Sequence, residues 1–267
     1  MAQEVYIPSR GRWESANKTA QIWQDQGFRV TFIVEPNEFN MYDDKLNADS
    51  NIHELPYKNG GIGHTRNFLI SLAASYGLES IIMADDDMRP KHNMLEMAEA
   101  ARHHRVLGIT ARYSYHDLVL GPSVKQRDDL ILLPSLTFKL VAINVQNALE
   151  IGNFDSHLDG LEDNDFALRG LQAGYPWMIH CGTYSTATGP RYAPGGLSDY
   201  CGTKNIDPEF DVPPWYDRVY KKWPDFISGH QTHKIRFAWR KAYDKFIPGW
   251  RNYSSLHGGS LEKYLEN

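Results

Sequence analysis

Three consecutive aspartates, Asp85, Asp86 and Asp87, follow directly on the apolar run Ile81-Ile82-Met83-Ala84. A buried strand that ends in carboxylates gathers like charges at the carboxyl edge of a sheet, where open α/β folds bind ligands. Those charges need a counter-ion. Hard divalent cations such as Mg2+ or Mn2+ favour carboxylate oxygens together with phosphate oxygens, so Asp85 and Asp87 fit a metal and diphosphate site. For an arbitrary acidic triplet the alternative is a solvated turn capping the next helix, and the apolar strand before this one weighs against that.

A second acidic stretch runs from Phe154 to Phe166 and contains Glu162, Asp163 and Asp165, with Arg169-Gly170 following. A carboxylate at a helix start can take a proton from a hydroxyl as that oxygen attacks, and Asp163 is the residue placed to do so. The competing reading is an N-cap and a solvated first turn.

Elements that would position these groups can be read from pattern. Val5-Tyr6-Ile7 is a first strand ending at Pro8-Ser9-Arg10-Gly11-Arg12, followed by a helix from Trp13 to Gln26. Phe28 to Glu35 is a second strand stopped by Pro36, and Ile52 to Leu55 a short third one. His64 to Tyr76 has apolar residues at helical spacing, and Ser80 to Ala84 is the strand that feeds the aspartates. Leu130 to Leu133, Leu136 to Ile143 and Trp177 to His180 read as strands, and Glu162 to Ala173 as a helix. The alternation predicts an α/β fold whose central sheet is mixed but mainly parallel. Gly182 to Asp211, rich in Gly, Pro, Ser and Thr, reads as a long active-site loop. Trp215 to Tyr243 reads as one amphipathic helical stretch. The expected division is a catalytic domain over 1–212 and a basic, aromatic, helical C-terminal extension over 213–267.

The chain has 267 residues, 42% hydrophobic and 23% charged, with a formal net charge of -5. This is the composition of a globular protein with a sizeable core. Its two cysteines, Cys181 and Cys201, are too few for a disulfide framework and lack the spacing of a zinc or redox motif. No apolar run reaches membrane-spanning length and no leader pattern opens the chain, so a cytoplasmic protein is expected. Charge is uneven: Pro213 to Arg251 holds nine Lys or Arg against three Asp or Glu. A basic tail is joined to an acidic body.

Taken in order, these motifs resemble the GT-A glycosyltransferases of the inverting family 2 type, over roughly Val5 to His180. Ile7-Pro8-Ser9-Arg10 looks like their first nucleotide-binding loop, and Val34-Glu35-Pro36 like the strand end facing the base or ribose. Gly61-Ile62-Gly63-His64-Thr65-Arg66-Asn67 is similar to their Gly-rich turn before an Ala-Arg-Asn helix, with Thr65 in place of alanine. Asp85-Asp86-Asp87 matches the DxD motif, and Glu162-Asp163 with Asp165 and Arg169 matches the ED motif.

The resemblance implies a Rossmann-like GT-A fold and a transfer of sugar from a nucleotide-sugar, such as UDP-glucose, to an acceptor hydroxyl with inversion. It implies that Pro8, Ser9, Arg10, Glu35, Gly63, Arg66, Asp85 and Asp86 form the donor site, with Arg66 at the diphosphate. By the same resemblance Asp87 ligates Mn2+ or Mg2+ and Asp163 is the base. A further metal ligand is expected from a histidine after the ED helix, His180 first, then His230 or His233. Each of these histidines could instead be simply hydrogen-bonded.

Within the family the Pro-Ser-Arg-Gly-Arg start looks like the phage TET-associated glycosyltransferases, which glycosylate hydroxymethylated bases in DNA. The host cytoplasm would be the place of action. From Trp215 to Trp223, and on through Lys234, Arg236, Trp239, Arg240, Lys241 and Arg251, cations interleave with aromatic rings, as phosphate contacts and base stacking require. An equal reading makes the rings the core stripe of an amphipathic helix and the cations its wet face. A carbohydrate or glycoconjugate acceptor, a nucleotidyltransferase, and a non-catalytic nucleic-acid- or sugar-binding module on the same scaffold are the competing functions.

Overall fold

In Glu4–Pro8 (β1) three successive apolar side chains are all buried, which requires cover on both faces of the strand. The computed structural model describes residues 3–46, 49–58, 60–91, 93–102, 105–112, 130–132, 138–158, 160–187, 214–228 and 236–247. Within them β1 lies between Arg29–Val34 (β2) and Ser80–Ala84 (β4), parallel to both, and β2 is parallel to Ser50–Glu54 (β3). The carboxyl ends of these strands, at Pro8, Val34, Glu54 and Ala84, therefore open on one edge. Helices Trp13–Gln24 (α1), Phe39–Lys45 (α2) and Gly61–Ser75 (α3) lie between them in the chain.

Beyond β4 the sheet changes sense. Leu140–Asn144 (β8) runs antiparallel to β4, Gly108–Arg112 (β6) antiparallel to β8, and Trp177–Ala187 (β9) parallel to β6. Met88–Pro90 (β5) and Leu130–Leu132 (β7) both pair antiparallel with β9. The order is β3-β2-β1-β4-β8-β6-β9-β5, with β7 on β9. The sheet is mixed as expected. Its parallel half is β3 to β4, and the rest is dominated by antiparallel pairs.

Side chains form consistent rows across the strands. Val5, Ile82, Ala142, Ile109 and Met178 share an apolar cluster with α1 and Met94–Ala101 (α4). Tyr6, Met83, Val141, Ile143 and Ile179 share another with α3 and Val145–Glu150 (α5). Glu162–Gln172 (α6) joins the first cluster through Ala167, Leu168 and Leu171, together with Val219, Trp223, Trp239 and Tyr243 of the C-terminal segment.

Two element assignments are corrected. β9 continues to Ala187, so residues 182–187 of the expected loop are strand, held by the β5 partner that sequence pattern does not reveal. The remainder of that loop lies outside the described residues. The stretch from Trp215 to Tyr243 is not one helix: Pro214–Lys222 (α7) and Trp239–Phe246 (α8) are separated by the short pair Ile227–Ser228 (β10) and Arg236–Phe237 (β11). Pro224, which has no N–H to donate, ends α7. The elements α2, α4, α5, β5 and β6 had no separate assignment from sequence.

Close approach at β6 has a measurable consequence. A Cβ added to Gly108 would meet the Trp177 ring at 2.7 Å and the Ala142 carbonyl oxygen at 2.9 Å. The carbonyl belongs to the sheet and cannot yield. Gly108→Ala is expected to lower unfolding free energy by about 1–3 kcal/mol in urea denaturation.

Candidate active site

The turn after β4 sends its three carboxylates in different directions. Asp86 is fully buried, and its Oδ2 accepts hydrogen bonds from Ser9 Oγ at 2.7 Å and Arg12 Nε at 3.0 Å. Arg12 Nη2 closes an ion pair on Oδ1. A relay leads into this group: the Arg12 backbone N–H donates to Tyr42 Oη at 3.1 Å, and Tyr42 Oη meets Ser9 Oγ at 2.7 Å. On the main chain, Thr19 Oγ1 donates to the Asp86 carbonyl at 2.7 Å. Asp86 and Ser9 are thus the fastening between the β1 loop, α1 and the β4 turn. The side-chain oxygens of both are engaged within this fastening, beneath the surface.

Asp85 and Asp87 remain half-buried at the carboxyl edge. Burial pushes the Asp85 carboxyl up to about 7; the Arg66 guanidinium opposes this, and the charges of Asp87 and Asp86 add to it. Such crowding is what a cation relieves. Among the described residues no three His, Cys, Asp or Glu gather as a metal-binding group. A hard cation here would complete its shell with ligand oxygens and water, which suits Mg2+ or Mn2+, since these bind through one or two carboxylates plus phosphate.

His180 does not join them. It lies in the middle of β9, opposite Ala111 and Leu130, rather than at a strand end. The side chain is buried, with Nδ1 2.6 Å from Thr183 Oγ1. The strand expected to end at His180 runs on for seven more residues. His230 and His233 lie outside the described residues.

Arg66 occupies the centre of the site. It is buried on α3, and its Nη1 meets Glu162 Oε1 at 2.5 Å. The guanidinium lies over the Phe138 ring at 4.1 Å and near Phe154 at 5.4 Å. The same cation lowers the carboxyl pKa of both Asp85 and Asp163. Asn67, next along α3, exchanges two hydrogen bonds with the Phe154 backbone, at 2.9 and 2.8 Å. Gly63 lies one turn earlier on α3, where a Cβ would sit 3.5 Å from the Asp155 carbonyl oxygen. That is ordinary van der Waals distance, so α3 runs close beside the second acidic stretch at this point. Pairing between α3 and the second acidic stretch thus rests on Arg66 and Asn67, a contact that sequence reasoning missed.

Asp163 stands at the first turn of α6. Burial and the adjacent Glu162 charge raise its carboxyl to about 7, while Arg66 and the Asn164 hydrogen bonds work against them. Asn164 donates its backbone N–H at 2.8 Å and Nδ2 at 2.7 Å, both to Asp163 Oδ1. The turn into α6 places Leu161 at φ 58° and ψ 17°. A leucine in the left-handed region costs roughly 1–2 kcal/mol, so packing must hold this turn against its own preference.

Behind Asp163 the helix is locked from below. Asp165 Oδ2 accepts from Arg169 Nε at 2.9 Å, and Oδ1 from Trp223 Nε1 at 2.7 Å. Lys222 Nζ bridges Asp165 at 2.8 Å and Asp155 at 3.0 Å, and Arg218 donates to the His157 carbonyl. Trp223, Trp239 and Tyr243 are buried. These described aromatics therefore follow the core-stripe reading of the C-terminal segment, and its cations Arg218 and Lys222 pair with α6 and the loop before it.

Of the remaining expected donor residues, Pro8 closes β1, Arg10 follows it half-buried, and Glu35 is buried at the end of β2. All three lie on the edge that carries Asp85 and Asp87.

Residues 3–119 match the family described as TET-Associated Glycosyltransferase, a span that includes β1, Arg66 and Asp85–Asp87 but stops short of α6. No curated protein matches the chain. Among solved structures it is similar to the mannosyltransferase PcManGT from Pyrobaculum calidifontis in complex with GDP-Man and Mn2+, at 12% identity over 95% of this chain and 70% of that one, with a TM-score of 0.55. The inositol-1-phosphate CTP transferase from T. maritima gives 10% identity over 77% of this chain and 97% of that one, at 0.45. At such identity the mannosyltransferase likeness speaks for a shared α/β fold.

Two neighbouring aspartates are expected to respond oppositely to removal. Asp85 has a folded-state pKa above its ordinary value, so its charged form opposes folding, and that penalty is present above about pH 7 and absent below about pH 4. Asp85→Asn should therefore raise the melting temperature of the metal-free protein at pH 8, by roughly 2–4 °C, and leave it nearly unchanged at pH 4. Asp86→Ala strands a buried partner and should cost about 3 kcal/mol in urea unfolding.

Proposed function

We propose that this chain, a glycosyltransferase by its family match over residues 3–119 and its mannosyltransferase-like fold, is a GT-A enzyme with two opposed carboxylate stations. One, at Asp85 and Asp87, holds a nucleotide-sugar with a divalent cation. The other, at Asp163, deprotonates the acceptor hydroxyl. The observation that carries this reading is the position of Arg66, whose charge acts on Asp85 and Asp163 alike.

The chemistry follows from the atoms present. When bound, the cation neutralises the diphosphate and stabilises it as a leaving group. Arg66 adds fixed positive charge between the stations, where the departing diphosphate gains negative charge. Asp163 Oδ1 is occupied by Asn164, which leaves Oδ2 to take the proton. The acceptor oxygen forms its bond to the anomeric carbon, the carbon–phosphate oxygen bond breaks with its electron pair leaving on the diphosphate, and the proton passes to Asp163 Oδ2. Attack from the side opposite the diphosphate inverts the anomeric centre. Pro8, Arg10 and Glu35 lie where the nucleoside would rest.

A UDP-sugar is the favoured donor; the mannosyltransferase's GDP-Man makes guanosine the comparison to run. A hydroxymethylated pyrimidine in DNA is the proposed acceptor, and a carbohydrate hydroxyl the competing one. Keeping both stations on one buried arginine argues against a module that only binds.

Thermal shift with UDP- and GDP-sugars, with and without Mn2+, should show a rise that needs both components and is lost in Asp87→Ala. Asp163→Asn should keep that rise yet lower kcat by about 10²–10⁴-fold. Wild-type turnover in the asparagine variant would remove Asp163 from its role.

The pH profile provides a separate check. A base works deprotonated, so activity should be low in acid and climb through about pH 7, the value to which Asp163 is raised. Arg66→Met removes a charge that lowers this pKa, so the rising limb should move to higher pH.

A further inference from the structure

The helix that carries Asp163 begins without a cap. Its N-cap position is Leu161, whose side chain accepts no hydrogen bond and whose backbone sits in the left-handed region. The leading N–H groups of a helix have no partner within it, and an uncapped first turn frays unless something outside holds it. Asp163 lies in that first turn, so the place of its carboxylate depends on contacts made by its neighbours.

Those contacts stand on two faces. On one, Glu162 is paired with Arg66 of α3. Asp165 is two positions beyond Asp163, and residues two apart do not share a helix face. It is fully buried, and its backbone N–H closes the turn on the Leu161 carbonyl at 3.0 Å. Its carboxylate takes Arg169 Nε of the same helix on Oδ2. On Oδ1 it takes Trp223 Nε1 at 2.7 Å and Lys222 Nζ at 2.8 Å, both from the C-terminal end of α7.

This attachment is stiff at its far end. Trp223 is buried, its backbone N–H donates to the Val219 carbonyl at 2.9 Å, and its ring lies 6.1 Å from that of Phe226. Lys222 also reaches Asp155 at 3.0 Å, and Arg218 donates to the His157 carbonyl, so α7 grips the loop that leads into α6 as well as the helix. A carboxylate as deep as Asp165 stays where its donors are, because losing one of them is costly.

We infer that Trp223 and Lys222 are positioning residues for the proton transfer: through Asp165 they fix the first turn of α6, and with it the Asp163 carboxylate. The inference rests on Asp163 as the base and deepens that reading, since it makes the segment that begins near residue 213 part of the catalytic unit. Misplacing a reacting group by about 1 Å costs up to about 10²-fold in rate, which is the scale on which such a brace acts.

The test is hydrolysis of the nucleotide-sugar that gives the melting rise, with Mn2+ present and water as the acceptor. Water's oxygen then bonds to the anomeric carbon, the diphosphate leaves with its electron pair, and the proton goes to Asp163. Trp223→Phe removes the indole N–H; it should lower kcat about tenfold and leave both KM for the donor and the melting rise at wild-type values. Lys222→Met should lower kcat in the same sense, and Lys222→Arg, which can still bridge the two aspartates, should restore it. In the Asp163→Asn background Trp223→Phe should cost less than about twofold further, because no base is left to misplace.

Lys222 has an exposed side chain, so its two variants carry the test if Trp223→Phe does not fold. Wild-type kcat in Lys222→Met and Trp223→Phe overturns the inference. So do equal losses with and without Asp163, or a kcat loss that comes with a weaker melting rise, since a merely structural role gives both. The two readings fail separately: wild-type turnover in Asp163→Asn removes the base and this inference with it. A slow asparagine variant beside unimpaired Trp223 and Lys222 variants removes the brace alone.

Discussion

One buried guanidinium governs the site. Arg66 is paired with Glu162, walled by Phe138 and Phe154, and close enough to Asp85 and Asp163 to lower the pKa of each. Removing such a cation would leave several carboxylates facing one another with little water to screen them, and breaking one side of a buried pair is costly. The aromatic walls exclude solvent and strengthen the remaining attraction. α3, the β4 turn and α6 are therefore held in register by a charge that the chemistry can also use.

Part of the molecule's stability is given up at this place. Asp85 and Asp163 are both held with carboxyl pKa values near 7, and Leu161 is held at a positive φ so that α6 begins where it does. Such features persist only where the surroundings over-determine them. The surroundings here are substantial: Asp86, Ser9, Arg12 and Tyr42 fasten one side, and Asn67 with the Phe154 backbone fastens the other.

Two described cations of the C-terminal segment, Arg218 and Lys222, find partners on α6 and the loop before it. Lys222 and Trp223 reach Asp165, and Arg218 reaches the His157 carbonyl, so α7 braces the helix that carries Asp163. Among the segment's described rings, Trp223, Phe226, Trp239 and Tyr243 are buried in the core.

The sequence by itself determined the α/β pattern, the strand that feeds Asp85–Asp87, the helix that begins at Glu162, and the acidic residues that each carries. Each is local: a period, a breaker, or a run of one charge is legible without knowing what lies across the fold. Only tertiary structure decided which of three adjacent aspartates is buried in an ion pair, because Asp86 owes its partners to residues more than seventy positions earlier. It likewise moved His180 from a strand end to a strand middle, since β5 supplies the pairing that prolongs β9. Arg89 of β5 and Arg112 of β6 come to flank β9 for the same reason, because pairing register, not proximity in the chain, makes them neighbours.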